Sequence, residues 1–171
     1  MAEINRITNG NVYINGENFL GRCEEATLPD VKQKETEHKG LGMVGTIMLP
    51  SGLEAMTAKL KMASFYPDVV IQAGNPNIGA VVQVRANLET WESEVLLLQQ
   101  ALVALLVGRF TNFPFGTIKS KDNAEYELNM TVTRAVLTLD GVPLYEVDIM
   151  NNIWIVNGID LLAAYRLNIG G

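Results

Sequence analysis

The chain has 171 residues, of which 48% are hydrophobic and 19% charged, a composition that is typical of one globular domain and excludes a disordered chain. The chain has 13 lysines and arginines and 19 aspartates and glutamates, so its net charge is −6. This charge argues against a protein that binds nucleic acid through its phosphates. The longest apolar run, residues 95–107, is shorter than the roughly 20 residues that cross a bilayer, and the first residues lack the pattern of a signal peptide. We therefore expect a single domain over residues 1–171, made in the cytoplasm and not inserted in a membrane.

The first predicted elements are strands and turns. Residues 12–14 lead into Asn15 and Gly16, a pair that adopts positive φ in the tight turn of a β-hairpin. A highly charged stretch, residues 31–39, then runs into a glycine-rich segment, residues 40–45. Alternation of apolar and polar side chains predicts half-buried strands at residues 53–62, 81–89 and 125–139.

The last of these strands begins the C-terminal part of the predicted sheet. The residues placed on its apolar face are Tyr126, Leu128, Met130, Val132 and Val136, and Arg134 interrupts their order. Asp140 and Gly141 then turn the chain tightly, and residues 144–149 return as the partner strand. Residues 153–156 form a further short strand.

Two short helices are predicted. Residues 64–73 contain Pro67, which suits the first turn of a helix. Near the C-terminus, Asn157 can cap a helix and Asp160 falls in its first turn, which predicts a helix over residues 158–167.

Residues 95–107 are ambiguous between helix and strand. Leucine and alanine dominate the segment and no residue breaks a helix, so intrinsic propensity favours a helix. The β-type neighbours favour a strand, in which Gly108 would mark a bulge. Periodicity does not decide, because both faces of the segment are apolar.

Residues for catalysis or metal binding are scarce. Cys23 is the single cysteine and His38 the single histidine, which excludes an internal disulfide and a histidine-rich metal site. The two side chains are candidates for a nucleophile–base pair, but a packed cysteine and a solvated histidine are the more common outcome. We predict no catalytic residue, no metal site and no cofactor, and hence a protein that is not an enzyme.

One sequence motif matches a cofactor fingerprint. Gly40, Gly42 and Gly45 have the spacing of the dinucleotide-binding sequence, in which an apolar strand feeds the glycines and a helix follows them. Here the preceding residues are charged and Pro50 follows closely. This context favours a flexible loop over a dinucleotide site.

Several segments, taken in order, carry a resemblance to a known family. They are residues 12–16 with Phe19, 27–29, 35–37 leading to 42–43, 52–56, 140–141, 145–148 and 157–163. Together they resemble the major tail tube protein of contractile-tailed bacteriophages, a family that includes the tubes of R-type pyocins (tailocins). The resemblance covers essentially the whole chain and is weakest over residues 62–121.

The resemblance implies a mainly β (α+β) fold, an antiparallel β-barrel or sandwich with one or two short helices. It also implies that six subunits form a hexameric ring, that rings stack into a hollow tube inside a contractile sheath, and that inner hairpins join into a 24-stranded barrel around the lumen. A long early loop, residues 35–49, would reach into neighbouring subunits. For residues 95–107 the resemblance favours a strand.

Two sets of site residues follow from this resemblance. The inter-subunit loop would use Glu35, Glu37, Gly40, Gly42, Met43 and Gly45, whose glycines let backbone approach another chain closely. Candidates for facing the lumen, taken from the polar faces of long strands, are Glu89, Glu125 and Glu127. A six-membered ring would carry roughly −36, which repels DNA phosphates from the wall.

The implied function is structural. The tube would conduct DNA in a phage, or ions in a bacteriocin, and would be part of a virion tail assembled in the host cytoplasm. Implied partners are further copies of the chain, the sheath protein, the baseplate and tail-terminator proteins, and a tape measure protein in the lumen. Alternatives are the inner tube of a type VI secretion or extracellular injection system and, less favoured, a small β-barrel that binds an apolar ligand against its leucine-rich stretch.

Overall fold

A computed structural model of the chain describes residues 3–122 and 124–171. Within these residues the chain forms twelve strands and two short helices. Their bounds are β1 Ile4–Ile14, β2 Glu17–Asn18, β3 Cys23–Thr27, β4 Gln33–His38, β5 Ile47–Leu53, β6 Met56–Met62, α1 Pro67–Ala73, β7 Ala80–Glu92, β8 Val95–Phe110, β9 Tyr126–Leu139, β10 Val142–Asp148, β11 Ile153–Val156, β12 Ile159–Asp160 and α2 Ala163–Ile169.

Ten of the strands form one antiparallel sheet, with the four longest side by side in the order β9-β8-β7-β1. The other edge of β9 is shared, because residues 126–132 pair with β6 whereas residues 134–139 pair with β10. Beyond β10 the sheet continues through β11 to β12, and beyond β6 it continues to β3. Strands β4 and β5 form a separate two-stranded hairpin.

The core lies inside the bend of this sheet. Val12 and Val82, on β1 and β7, belong to the same buried cluster as Met56 and Leu60 on β6. The two halves of the sheet therefore pack across the core, and their outer faces point away from each other. The alternation predicted for residues 53–62 is confirmed over β6, where every second side chain from Met56 to Met62 is buried.

The prediction of a mainly antiparallel β fold with two short helices is confirmed, but the expected barrel does not close within one chain. The closest Cα atoms of β1 and β3 lie within 8 Å, yet within the described residues no hydrogen-bonded ladder joins these strands. Both strands are irregular where they face each other, with register shifts at Ile7/Asn9 and Cys23/Glu25. Such bulges twist a strand and interrupt its pairing, which leaves a sandwich with an open seam.

The ambiguous segment is strand β8, so the helix favoured by intrinsic propensity is wrong. Both edges of β8 are hydrogen-bonded, to β7 and to β9. This tertiary pairing overrides the propensity of leucine and alanine. The predicted bulge is confirmed, because the register with β9 shifts between Val107 and Gly108.

The same shift changes which face of β9 meets the core. Before it, Leu128, Met130 and Val132 are buried; after it, Ala135 is buried instead. Val136 pairs with Leu105 and lies on the outer face. The prediction that Val136 shares the apolar face of the first half of β9 is therefore wrong, because the bulge inserts one extra residue and reverses the alternation.

The C-terminal helix begins later than predicted. Asn157 and Gly158, with φ of 48° and 79°, form a tight hairpin turn between β11 and β12 instead of capping a helix. Asp160 lies in β12, and α2 covers Ala163–Ile169. The predicted start at residue 158 is wrong because the Asn-Gly pair favours the turn. Helix α1 has Pro67 in its first turn, as predicted.

Gly108 is essential for the bulge. A Cβ atom at this position would lie 1.9 Å from the backbone oxygen of Thr131, so neighbouring backbone would have to move. We predict that Gly108→Ala lowers the free energy of unfolding by about 3 kcal/mol, as overpacking does in other cores. The matched control is Gly79→Ala, whose Cβ would make an ordinary 3.7 Å contact. Urea denaturation of dilute protein measures both, and equal stability of the two variants would contradict the prediction.

Candidate functional site

The segment predicted as a long loop, residues 35–49, is mostly a β-hairpin. In β4 and β5, Thr36 pairs with Leu49 and Glu37 pairs with Met48. Every residue from position 33 to position 52 is exposed. A two-stranded hairpin without a covering layer is marginally stable in water, so this arm, which we call the β4–β5 arm, is expected to gain stability from a partner.

The residues predicted for contacts between subunits all lie on this arm. Glu35 and Glu37 belong to β4, and Glu37 forms an ion pair with Lys39 at 3.2 Å. The remaining ones form the tip at residues 39–46, and they are Gly40, Gly42, Met43 and Gly45. At the tip, the Met43 amide donates to the Gly40 carbonyl at 3.2 Å, and Gly42 has a φ of 85°. A strand follows these glycines rather than a helix, so the dinucleotide fingerprint lacks the structure that would bind a pyrophosphate.

Apolar side chains of the arm were missed by the sequence analysis. Leu41 and Val44 at the tip have exposed fractions of 107% and 109%, and β5 exposes Ile47, Met48 and Leu49. Contiguous exposed apolar groups mark interaction surfaces. The available signal was the presence of Leu41 and Val44 inside the glycine-rich segment, whose composition favours a flexible loop.

A second projection is formed by the ends of β1, β7 and β8. Ile4 and Ile7 on β1 and the run Val95–Leu98 on β8 are large apolar side chains with exposed fractions between 40% and 64%. These strand ends extend past the buried core, so neither face of this distal blade is covered. The first part of the leucine-rich stretch proposed as the lining of a ligand pocket thus lies at an exposed strand end, whereas Ala104 and Leu106 in its second part are buried.

Glu89 is held on the outer face of the blade by a polar network. Its Oε1 accepts from Asn87 Nδ2 and Gln99 Nε2, each at 3.2 Å, and from Thr8 Oγ1 at 3.4 Å. Its Oε2 accepts from Trp91 Nε1 at 3.0 Å. The carboxylate is therefore fixed in orientation as part of a polar surface that runs across three strands.

Glu125 and Glu127 lie elsewhere. They pair with Lys61 and Lys59, each at 3.1 Å, on the outer face of β6 and the first half of β9. The hydrogen bond with Glu125 raises the pKa of Lys61. Because this half of the sheet packs across the core from β1 and β7, Glu89 points to the opposite side of the molecule, and the structure does not bring the three predicted lumen residues together.

The pair considered for nucleophilic catalysis has no chemical support. Cys23 Sγ donates to the backbone oxygens of Glu25 and Lys61, at 3.3 and 3.4 Å. Burial raises the pKa of the Cys23 thiol, which disfavours the reactive thiolate. His38 belongs to the exposed strand β4, opposite Ile47.

Among residues 3–122 and 124–171, no three His, Cys, Asp or Glu side chains are grouped so that they could hold a metal ion. None of the helices in this part of the chain is long and apolar enough to cross a membrane.

The chain exposes far more surface than a compact monomer. Its accessible surface is 11156 Å², whereas a monomeric protein of 18.8 kDa exposes about 8,300 Å². The excess is about 2,800 Å², and a standard protein–protein interface takes about 800 Å² from each partner. The excess therefore corresponds to roughly three such contacts.

Helix α2 has no buried residue and is held mainly through Arg166. The Arg166 guanidinium donates to the Asn152 carbonyl at 2.8 Å and pairs with both carboxylate oxygens of Asp160. The hydrogen bonds from Arg166 hold the pKa of Asp160 below its usual value. The pair thus fastens the C-terminal helix to the β11–β12 hairpin.

Comparisons with known proteins agree on one family. A sequence profile of the family described as Phage tail tube protein FII matches residues 4–170. The chain is 29% identical over 162 residues to the tail tube protein of Escherichia phage P2, covering 94% of both chains. It is 25% identical over 152 residues to the major tail tube protein of Serratia phage KSP20, covering 88% of this chain and 86% of that one.

The fold is also similar to chains of a solved extracellular contractile injection system named PVC. A chain of its sheath/tube terminator matches with a TM-score of 0.54 at 13% identity, over 75% of this chain and 92% of that one. A chain of its sheath-tube complex matches with a TM-score of 0.54 at 12% identity, over 75% and 87%. At these identities the likeness concerns the fold.

Stability should depend on pH through the Asp160–Arg166 pair. A carboxyl whose pKa is lowered by folding contributes stability that is complete above its unfolded pKa of about 4 and is lost as the pH falls through the lowered value. We predict that Asp160→Asn is less stable than the wild type at pH 7 and that the difference shrinks at pH 2.5. Asp30→Asn, which breaks the exposed pair with Lys32, is the matched control and should change little. A difference that persists undiminished at pH 2.5 in urea denaturation would argue against the ion pair.

Proposed function

Because this chain belongs to the phage tail tube protein FII family, we propose that its copies form hexameric rings and that the rings stack into a hollow tube. The chain is a structural subunit of the inner tube of a contractile tail or injection particle. The single observation that best supports self-assembly is the surface that one copy leaves uncovered, about 2,800 Å² more than a compact monomer of this mass exposes.

The unpaired strand edge of β1 supports lateral contacts within a ring. One edge of β1 pairs with β7 along most of its length, whereas on the other edge the described residues supply a ladder, to β2, only at Tyr13 and Ile14. An edge of this length is a template for another chain. Four long strands from each of six copies would give the 24 strands of the tube wall that the family resemblance implies.

The outer face of β1, β7, β8 and the second half of β9, residues 134–139, then lines the lumen. This assignment includes Glu89 as a lumen residue and places Glu125 and Glu127 away from the axis, because they lie on the opposite side of the core. The wall is polar at Glu89, Asn87 and Gln99. Such a surface lets a passing polymer move without strong adhesion.

The β4–β5 arm supplies contacts beyond the ring. The arm reaches a neighbouring subunit through two parts. One is the exposed apolar tip, with Leu41 and Val44, and the other is β4, with Glu35 and Glu37. Burying one such side chain contributes about 1.5–3 kcal/mol. Gly40, Gly42 and Gly45 let the backbone of the tip follow the surface of its partner.

The remaining partners are proposed from two sources. The similar PVC chains belong to complexes named for a sheath, a tube and a terminator, and we propose corresponding contacts with a sheath and a terminator. The family resemblance implies, in addition, a baseplate, a tape measure protein in the lumen and the passage of DNA in a phage. The protein acts without catalysis, in a virion tail or injection particle that is assembled in the host cytoplasm.

Electron microscopy of the purified protein tests the proposal. Wild-type protein should form rings or tubes with a central channel. Monodisperse monomers at high concentration would contradict it. A tube that carries protein effectors, as in an extracellular injection system, would have the same shape, and the neighbouring genes separate that alternative from a phage tail.

We predict that Leu41→Asp abolishes stacking of rings into tubes, because a carboxylate at the tip cannot be buried without a partner. Its monomer fold should be unchanged, since the Leu41 side chain is fully exposed. Leu41→Met keeps an apolar side chain at the same position and should assemble like the wild type. Sedimentation and electron microscopy compare the three proteins, and normal tubes from Leu41→Asp would rule out the tip as a contact.

A labelling experiment tests which face lines the lumen. Both variants carry Cys23→Ser, so each has a single thiol. Ala101→Cys places that thiol on the same outer face as Glu89, since Ala101 pairs with Asn87. Glu127→Cys places it on the opposite side of the molecule. We predict that a bulky maleimide reagent modifies both variants as dilute monomers. In assembled tubes it should modify position 127 at least tenfold faster than position 101. Equal rates in tubes would contradict the assignment.

A further inference from the structure

A groove lies between the base of the β4–β5 arm and the C-terminal elements. It has a volume of about 540 Å³. Its main lining residues are Gln33, Pro50 and Leu53 on the side of the arm and Trp154, Leu162 and Tyr165 on the other side. Most of this lining is apolar, so the groove suits apolar side chains rather than a charged ligand.

The tip of the β4–β5 arm has the matching properties. Leu41 and Val44 are fully exposed apolar side chains. A tip of this kind offers apolar side chains to an apolar groove.

The tip of a given copy cannot fill its own groove. Gln33 and Pro50 line the groove at the base of the arm, whereas Leu41 and Val44 lie beyond the far end of β4. The six residues of β4 separate base and tip by about 20 Å. Contact between tip and groove therefore joins two copies. Because the tip and the groove are different surfaces of the chain, the same contact can repeat from one copy to the next.

We propose that the tip of the β4–β5 arm of a second copy occupies this groove. Leu41 and Val44 pack against Leu53 and Tyr165. The inference rests on the proposed self-assembly and names the acceptor surface for the arm. The uncovered area supports it, since an excess of about 2,800 Å² leaves room for this contact beside the lateral contacts of a ring.

Disulfide trapping tests the contact. In a Cys23→Ser background, Val44→Cys and Tyr165→Cys are combined in one chain, assembled under reducing conditions and then oxidised. Both positions are exposed in the single chain, so the monomer should fold. A disulfide forms only when the two Cα atoms lie within about 7 Å. The matched control combines Val44→Cys with Leu20→Cys, another exposed apolar position that lies outside the groove.

The expected result is a ladder of covalently linked copies from the 44/165 pair and at least tenfold less from the 44/20 pair. Tubes without the 44/165 link would overturn this inference and leave the proposed function intact. Wild-type protein that never assembles would overturn both. Circular dichroism and electron microscopy of the reduced variants establish that they fold and assemble before oxidation.

Discussion

The need of strand edges for hydrogen-bond partners governs this molecule. Four long strands form the centre of its sheet, and one copy pairs the free edge of β1 only over Tyr13 and Ile14. Backbone N–H and C=O groups are strong hydrogen-bonding groups, and a regular row of them on an exposed edge favours addition of another strand. Across the seam from this edge, β3 leaves a second edge unpaired, since among the described residues β3 pairs only with β6 and bulges on β1 and β3 prevent closure. Further copies of the chain are the simplest source of the missing partners.

Exposed apolar surface is concentrated in the same parts of the molecule that lack hydrogen-bond partners. The distal blade exposes Ile4, Ile7 and the end of β8, and the β4–β5 arm exposes Leu41 and Val44. Strand pairing alone fixes the direction and register of a neighbour, whereas burial of apolar side chains supplies most of the free energy of association. In the proposed assembly the two kinds of uncovered surface act together. A neighbour that completes the ladder would also cover the blade, and a neighbour that receives the arm would cover its tip.

Much of the fold could be predicted from period-two alternation and from turns with positive φ. The alternation of Met56, Ala58, Leu60 and Met62 identified β6, and Asn15-Gly16 identified the first turn. Three features depended on tertiary structure. The leucine-rich segment is a strand because both of its edges are paired. Asn157-Gly158 belongs to a hairpin because β11 has a partner in β12. Glu89 is separated from Glu127 because the sheet bends around the core. Local sequence patterns do not contain the identity of a strand's neighbours, so they predicted the strands but not that Glu89 lies apart from Glu125 and Glu127.

The bulge near Gly108 explains how one sheet supports both the blade and the C-terminal hairpins. At Thr133 the outer edge of β9 changes partner from β6 to β10, and the Thr133 carbonyl accepts from the amide of Ile149 at 3.0 Å. The Thr133 hydroxyl also donates to the Val107 carbonyl of β8 at 3.2 Å, so β8 is bonded to β9 at the point where β9 changes its partner strand. Because the extra residue reverses the alternation of β9, Leu128, Met130 and Val132 face the core beside β6, whereas Ala135 faces the core beside β10. Strand β9 therefore connects two different surfaces. Its first half holds β6, whose outer face is charged, and its second half holds β10, which with β11 carries the groove at the base of the arm. A regular β9 would expose its apolar residues along half of its length, and the separation of surfaces on which the proposed tube depends would be lost.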